Sequence, residues 1–111
     1  MKKWWPCQRN GYMANRTIDW SKTAIKQFET AITYIASDSV NNAEKVFADI
    51  AKQLGRAVKD PEFFPLDKYK KANNGSYRAF EKHRYRIAYR FTDNVIRVLR
   101  VRHTSREPRE Y

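Results

Sequence analysis

The sequence predicts an α+β fold: a short first strand, then a helical hairpin packed on one face of an antiparallel sheet. Three observations carry this. Apolar residues recur twice at helical spacing between residues 22 and 58, the pattern changes to alternation after Ser76, and turn-forming residues separate the segments.

"NRTIDW" (15–20) reads as the first strand, and Ser21 behind it offers an N-cap. In "KTAIKQFETAITYIA", Ala24, Phe28, Ile32 and Ile35 fall on one helical face. "SDSVNN" interrupts it, and Asn41 with Glu44 three residues on predicts a capping box for a second helix. That helix aligns Ala43, Phe47, Ile50, Leu54 and Val58, and Lys59-Asp60-Pro61 ends it, because the residue before proline resists the α region. "FFPLDKYKKANNGS" is irregular, with Asn73-Asn74-Gly75 as a turn. Three strands follow, at 77–83, 84–92 and 95–104, the last two joined at Thr92-Asp93-Asn94.

The middle strand alternates cleanly. Tyr85, Ile87, Tyr89 and Phe91 point one way, and Arg84, Arg86, Ala88 and Arg90 the other. One sheet face therefore packs on the helices while the other carries arginine into solvent. In the last strand strict alternation groups Ile96 and Val98 with Arg100 and Arg102, and Val95, Leu99 and Val101 with Arg97 and His103. Neither face is purely apolar, so the strand emerges at a rim.

With 111 residues, the chain has room for one domain. The expected division is 15–111 as that domain and 1–14 as a poorly ordered N-terminal extension, since Met13 opens "MANRTIDWS". The N-terminus lacks the ~7–15 apolar residues of a secretory signal, and no run approaches the ~18 of a membrane span. Cys7 is the single cysteine, so no internal disulfide can form. A cytoplasmic location without membrane association is the expectation. The formal charge is +11, and residues 78–109 hold ten basic side chains, nine of them Arg, against three acidic ones. Arginine's planar fork suits phosphate and carboxylate, which points to a polyanionic or acidic partner.

Most catalytic signatures are missing. Three glycines build no phosphate loop, and His83 and His103 lack the partners of a zinc site, so neither metal nor cofactor is expected. What remains is a basic and aromatic set: Tyr77, Arg78, Lys82, His83, Arg84, Tyr85, Arg86, Arg90, Arg100, Arg102, His103, Arg106 and Tyr111. Guanidinium groups hold phosphates and tyrosine rings stack on unpaired bases. The same inventory can cut RNA without metal, with His or Lys as base and Arg on the pentavalent phosphate. The plainer reading puts Tyr85, Tyr89 and Phe91 in the core, His83 in a solvated turn, His103 on a neighbouring loop, and "KYKK" (68–71) in solvent. Arg86 and Arg100 lie mid-strand, where an arginine needs a partner or a purpose.

In "IDWSKTAIKQFETAITYIASDS", "AEKVFADIAKQL" and "YRAFEKHRYRIAYRFTDNVIRVLRVRHT", the chain resembles the RelE/ParE family of small bacterial toxins from type II toxin–antitoxin (plasmid stabilisation) systems. The resemblance spans about residues 15 to 106. It implies a toxin held inactive by an acidic antitoxin that folds as it wraps the domain. Ribosome-dependent members cleave mRNA and so inhibit translation, whereas ParE-like members poison DNA gyrase without chemistry. Arg86 matches the arginine that ribonuclease members set against the scissile phosphate. His103 and Tyr111 fall near the position of their C-terminal His, Arg or Tyr. Lys82, alongside Arg78 and Glu81, stands where the base is found. The resemblance implies Arg86, His103, Lys82 and Tyr111 as catalytic residues. Arg78, Arg84, Arg90, Arg100, Arg102 and Arg106 would bind nucleic acid or antitoxin.

Metal-independent mRNA cleavage on the ribosome is the leading expectation, with gyrase inhibition as the alternative. A non-toxic nucleic-acid-binding module is the third reading. Assembly is left open between monomer and homodimer.

Overall fold

The computed structural model describes residues 16–105 and 110–111, so the expected extension at 1–14 and Arg106 lie outside the described residues. Six elements follow in order: β1 (Thr17–Trp20), α1 (Lys22–Ala36), α2 (Val40–Lys59), β2 (Tyr77–Lys82), β3 (Tyr85–Phe91) and β4 (Val95–His103). The strands form one sheet in the order β1-β4-β3-β2. The two helices cover one face of it.

Ser21 caps α1 as expected, its hydroxyl accepting from the Ala24 N–H at 3.0 Å. The second cap differs from the expectation. Ser39, not Asn41, caps α2, with its Oγ accepting from Asn42 N–H at 3.1 Å. Ser39 is extended (φ −156°, ψ 113°), whereas Asn41 already lies inside the first turn, too late to cap it. The buried stripes of both helices meet the sheet through Phe28, Ile50 and Leu54 against Ile87, Tyr89, Ile96 and Val98. Phe28 stacks between Trp20 and Phe47, with ring centroids 5.3 and 5.6 Å away.

The sheet is mixed rather than antiparallel throughout. β2–β3–β4 form the expected meander, but β1 joins β4 in parallel, from Thr17 against Val95 to Trp20 against Val98. A parallel pair needs a long crossover, and the helical hairpin with the first two meander strands supplies it.

Two local features move side chains from their expected places. His83 and Arg84 both take positive φ (54° and 70°) in a two-residue turn between β2 and β3. This is the left-handed pair that a tight hairpin demands, so Arg84 belongs to the turn and not to a strand face. In β4, Tyr89 pairs with Val98 but Ala88 pairs with Arg100, which leaves Leu99 as a bulge. The extra residue reverses the alternation. Val101 thereby joins Ile96 and Val98 in the core, and Arg97, Arg100 and Arg102 share the opposite face.

That opposite face is not open to solvent throughout, as the alternation had implied. Ala79 and Ala88, paired across β2 and β3, are 1% and 4% exposed yet stand outside the main core cluster. The 66–71 segment and Tyr111 roof this part of the sheet.

Candidate functional site

The roofed face is organised by one residue that sequence reasoning passed over. Asp67 is 2% exposed, the single buried charged side chain among the described residues. Its Oδ1 accepts from the Tyr69 N–H at 3.1 Å and from Arg86 Nη2 at 3.0 Å. Its Oδ2 accepts from the Tyr111 hydroxyl at 2.5 Å. Arg86 reaches Glu81 with its other terminal nitrogen at 3.2 Å and lies 4.9 Å from the Tyr69 ring centroid. Burial would raise the Asp67 carboxyl, but the Tyr111 hydroxyl, Arg86 and the Tyr69 N–H outweigh it and hold the group below the usual range. The Tyr111 hydroxyl is pushed well up, by burial first and then by the Asp67 carboxylate.

Tyr111 is itself clamped. Arg100 stacks on its ring at 4.3 Å, and Lys70 lies 5.3 Å from the same ring while donating to the Tyr111 carbonyl at 3.0 Å. The Tyr111 N–H donates to the Tyr69 carbonyl at 2.9 Å. Tyr69 and Lys70 of the "KYKK" run are therefore parts of the roof rather than free loop residues.

The four residues expected to be catalytic divide into two groups. Arg86 and Tyr111 meet through Asp67, with Arg100 beside them. Lys82 and His103 do not join them. Lys82 pairs with Tyr85, His103 pairs with the same Tyr85 from the other side, and Tyr85 belongs to the helix-side core. The charge of Lys82 acts on Asp49 of α2. His103 sits edge-on to the Tyr85 ring at 5.0 Å, and its Nδ1 accepts the Ser105 N–H at 3.0 Å. The expected bond from His103 to its neighbouring loop is present.

The remaining arginines have separate tasks. Arg78 ties the 60–76 connection to the sheet by donating to the carbonyls of Gly75 (3.0 Å) and Phe64 (3.1 Å). Arg90 is exposed beside the Tyr77 ring at 5.6 Å. Arg97 pairs with Asp19 of β1. The Arg84 carbonyl accepts from Thr104 N–H at 2.7 Å. Arg102 lies on the roofed face opposite Arg86 and also borders a cavity beside α1. His83 is more than a solvated turn residue: its Nε2 lies 2.6 Å from Asp49 Oδ2 and anchors the hairpin to α2. That contact, foremost, keeps the Asp49 carboxyl below its ordinary range.

Asp67 was the residue missed. Its signal was local: an Asp two positions before Tyr69 in a proline-flanked loop is an Asx-turn pattern. Among the described residues no group of three His, Cys, Asp or Glu side chains converges as a metal site would require, and no helix is long and apolar enough to cross a membrane.

The architecture is similar to that of two solved structures. A chain described as the chromosomal ParDE TA system from P. aeruginosa superposes with a TM-score of 0.60 at 15% identity, covering 82% of this chain and 98% of that one. The YoeB dimer from Staphylococcus aureus superposes with a TM-score of 0.55 at 18% identity, with the same coverage of 82% and 98%. No curated protein sequence matches the chain. The family model for the ParE toxin of type II toxin–antitoxin system, parDE, matches residues 18–108. A strand, a helical hairpin and a bulged meander carrying a roofed arginine face thus belong to a member of the ParE toxin family of type II toxin–antitoxin systems.

Proposed function

We propose that this toxin arrests growth as a ParE-like inhibitor of DNA gyrase, binding its target without cutting a substrate. One observation carries the reading: the guanidinium of Arg86 already faces two carboxylates, Asp67 at 3.0 Å and Glu81 at 3.2 Å. A phosphate clamp needs an arginine whose donors are free for the incoming anion. Two of the expected proton-moving side chains, Lys82 and His103, lie on the helix side of the sheet, away from it, while Glu81 and Tyr111 beside it are engaged with Arg86 and Asp67. The match to the ParE toxin model supports the same branch.

A second reading keeps one specific support. Arg86, Arg100 and Tyr111 adjoin on a single face, and a ribosome that drew Asp67 off Arg86 would expose a basic and aromatic surface suited to mRNA. Two assays with the purified chain separate the two. Supercoiling by gyrase is inhibited in the expected case, while a defined message on ribosomes stays intact by primer extension. Ribosome-dependent breaks, with gyrase unaffected, would overturn the proposal in favour of mRNA cleavage.

A further inference from the structure

The connection from α2 to β2 opens with "PEFFPLD" (61–67), and its apolar residues divide sharply. Phe64 is buried, whereas Phe63 and Leu66 are each 52% exposed, two of the four such large apolar side chains among the described residues. The backbone that carries them is tied down on both sides. The Pro61 carbonyl accepts from the buried Tyr89 hydroxyl at 2.7 Å. The Ala79 N–H donates to the Pro65 carbonyl at 3.2 Å and the Asp67 N–H to the Tyr77 carbonyl at 2.9 Å, flanking the Leu66–Arg78 pairing. Phe64 packs on Phe80, 4.8 Å between centroids, and edge-on to Tyr89 at 6.4 Å. A loose loop could fold Phe63 and Leu66 inward, but this one holds them out.

Both lie along one rim of the sheet. Residues opposed across a strand pair point to the same side, so Leu66 shares the helix side with Arg78, which itself opposes the core residue Tyr89. Phe63 meets α2 on that side, with Arg56 stacked on its ring at 4.2 Å. The last half of α2, residues 50–59, contains no carboxylate and exposes Lys52, Arg56 and Lys59. With Lys68, four exposed cations border the loop against the exposed carboxylates of Asp60 and Glu62. The balance favours an acidic counterpart.

We propose that this rim is the surface by which the toxin docks on gyrase: Phe63 and Leu66 enter an apolar recess of the target, and Arg56 and Lys59 meet carboxylates at its border. The assignment rests on the binding reading above and adds the place of contact. An inhibitor without chemistry needs a protein interface, and interfaces draw most of their energy from a few aromatic and arginine side chains at a dry centre. The rim presents such a pair in Phe63 and Arg56, at little ordering cost because the frame is already fixed. The roofed face offers less, since its Arg86 is engaged with Asp67 and Glu81. A nucleic-acid strand fits the rim poorly, because Asp60 and Glu62 repel phosphate and Leu66 has no ring to stack on a base.

The test follows supercoiling of relaxed plasmid by the gyrase holoenzyme over a titration of the full chain. The unmodified chain inhibits, and Phe63→Ser combined with Leu66→Ser raises the half-inhibitory concentration about tenfold or more. Arg56→Glu, at an exposed helix position, raises it too with both apolar side chains in place, and decides the matter if the double variant fails to fold. Tyr34→Ala, which removes an exposed ring from α1, leaves it unchanged. Inhibition that neither the double variant nor Arg56→Glu weakens overturns the docking surface and leaves the gyrase reading standing. No inhibition by the unmodified chain overturns both. Sedimentation of the same proteins covers the other occupant: a homodimer lost in the double variant, with inhibition unchanged, would assign the rim to a second copy instead.

Discussion

At the scale of single residues, Asp67 matters most. It sits in a loop, is buried, and joins Arg86, Tyr111 and the Tyr69 backbone in one network. Removing it leaves the Arg86 guanidinium, whose side chain is 18% exposed, with only the exposed Glu81 as a carboxylate partner. Asp67→Ala is expected to cost about 2–4 kcal/mol in urea unfolding, because a largely desolvated charge loses its main counter-ion. A loss below about 0.5 kcal/mol would show that the network is cosmetic. The pH dependence has a definite sign. Asp67 titrates below its unfolded value of about 3.9, so its stabilisation is complete above that pH and vanishes as the pH falls through the folded value. The unfolding midpoint of the unmodified protein therefore drops more steeply between pH 5 and pH 2 than that of Asp67→Asn. None of this network was legible in the sequence beyond the Asx-turn spacing, since its members lie up to 44 positions apart.

At the scale of elements, the helices were the most readable part. A helix is held by bonds and side-chain neighbours close in sequence, so spacing and Ser21 placed α1 at its observed limits. The strand ends were less readable. The β2–β3 turn uses His83 and Arg84 where asparagine and glycine are the favoured pair, and no sequence pattern announces it. Holding Arg84 at φ 70° carries a strain that glycine avoids. Arg84→Gly should therefore raise stability by about 0.5–1 kcal/mol, measured as a shift in the urea midpoint. A decrease would mean that the Arg84 side chain holds the hairpin. The bulge at Leu99 was equally silent in the sequence, although it decides the face of three arginines.

At the scale of the whole molecule, charge is the property that governs partners. The family implies an antitoxin, and a toxin with a formal charge of +11 should meet an acidic one under electrostatic steering. The association rate of the pair is expected to fall by about tenfold or more between 50 and 500 mM salt, with a much smaller change in dissociation rate. Stopped-flow mixing measures both. A salt-independent association rate would assign the recognition to apolar contacts instead. The distribution of that charge matters as much as its sum. On the roofed face Arg86 is answered by Asp67 and Glu81, and Arg90 and Arg100 lie against the rings of Tyr77 and Tyr111.

By itself the sequence determined the class of fold, the helical hairpin and its buried stripes, the meander, and the likeness to a toxin family. The elements rest on periodicity and on neighbours a few residues apart, and the likeness rests on a resemblance of the quoted stretches to that family. Only the tertiary structure decided that β1 runs parallel to β4 and that a bulge turns Arg100 and Arg102 away from the core. It alone brought Arg86 to Asp67 and kept Lys82 and His103 on the helix side of the sheet. The reason is physical. Strand register, a bulge and a buried ion pair follow from contacts between segments distant in the chain, and composition and spacing carry no record of which segments will meet.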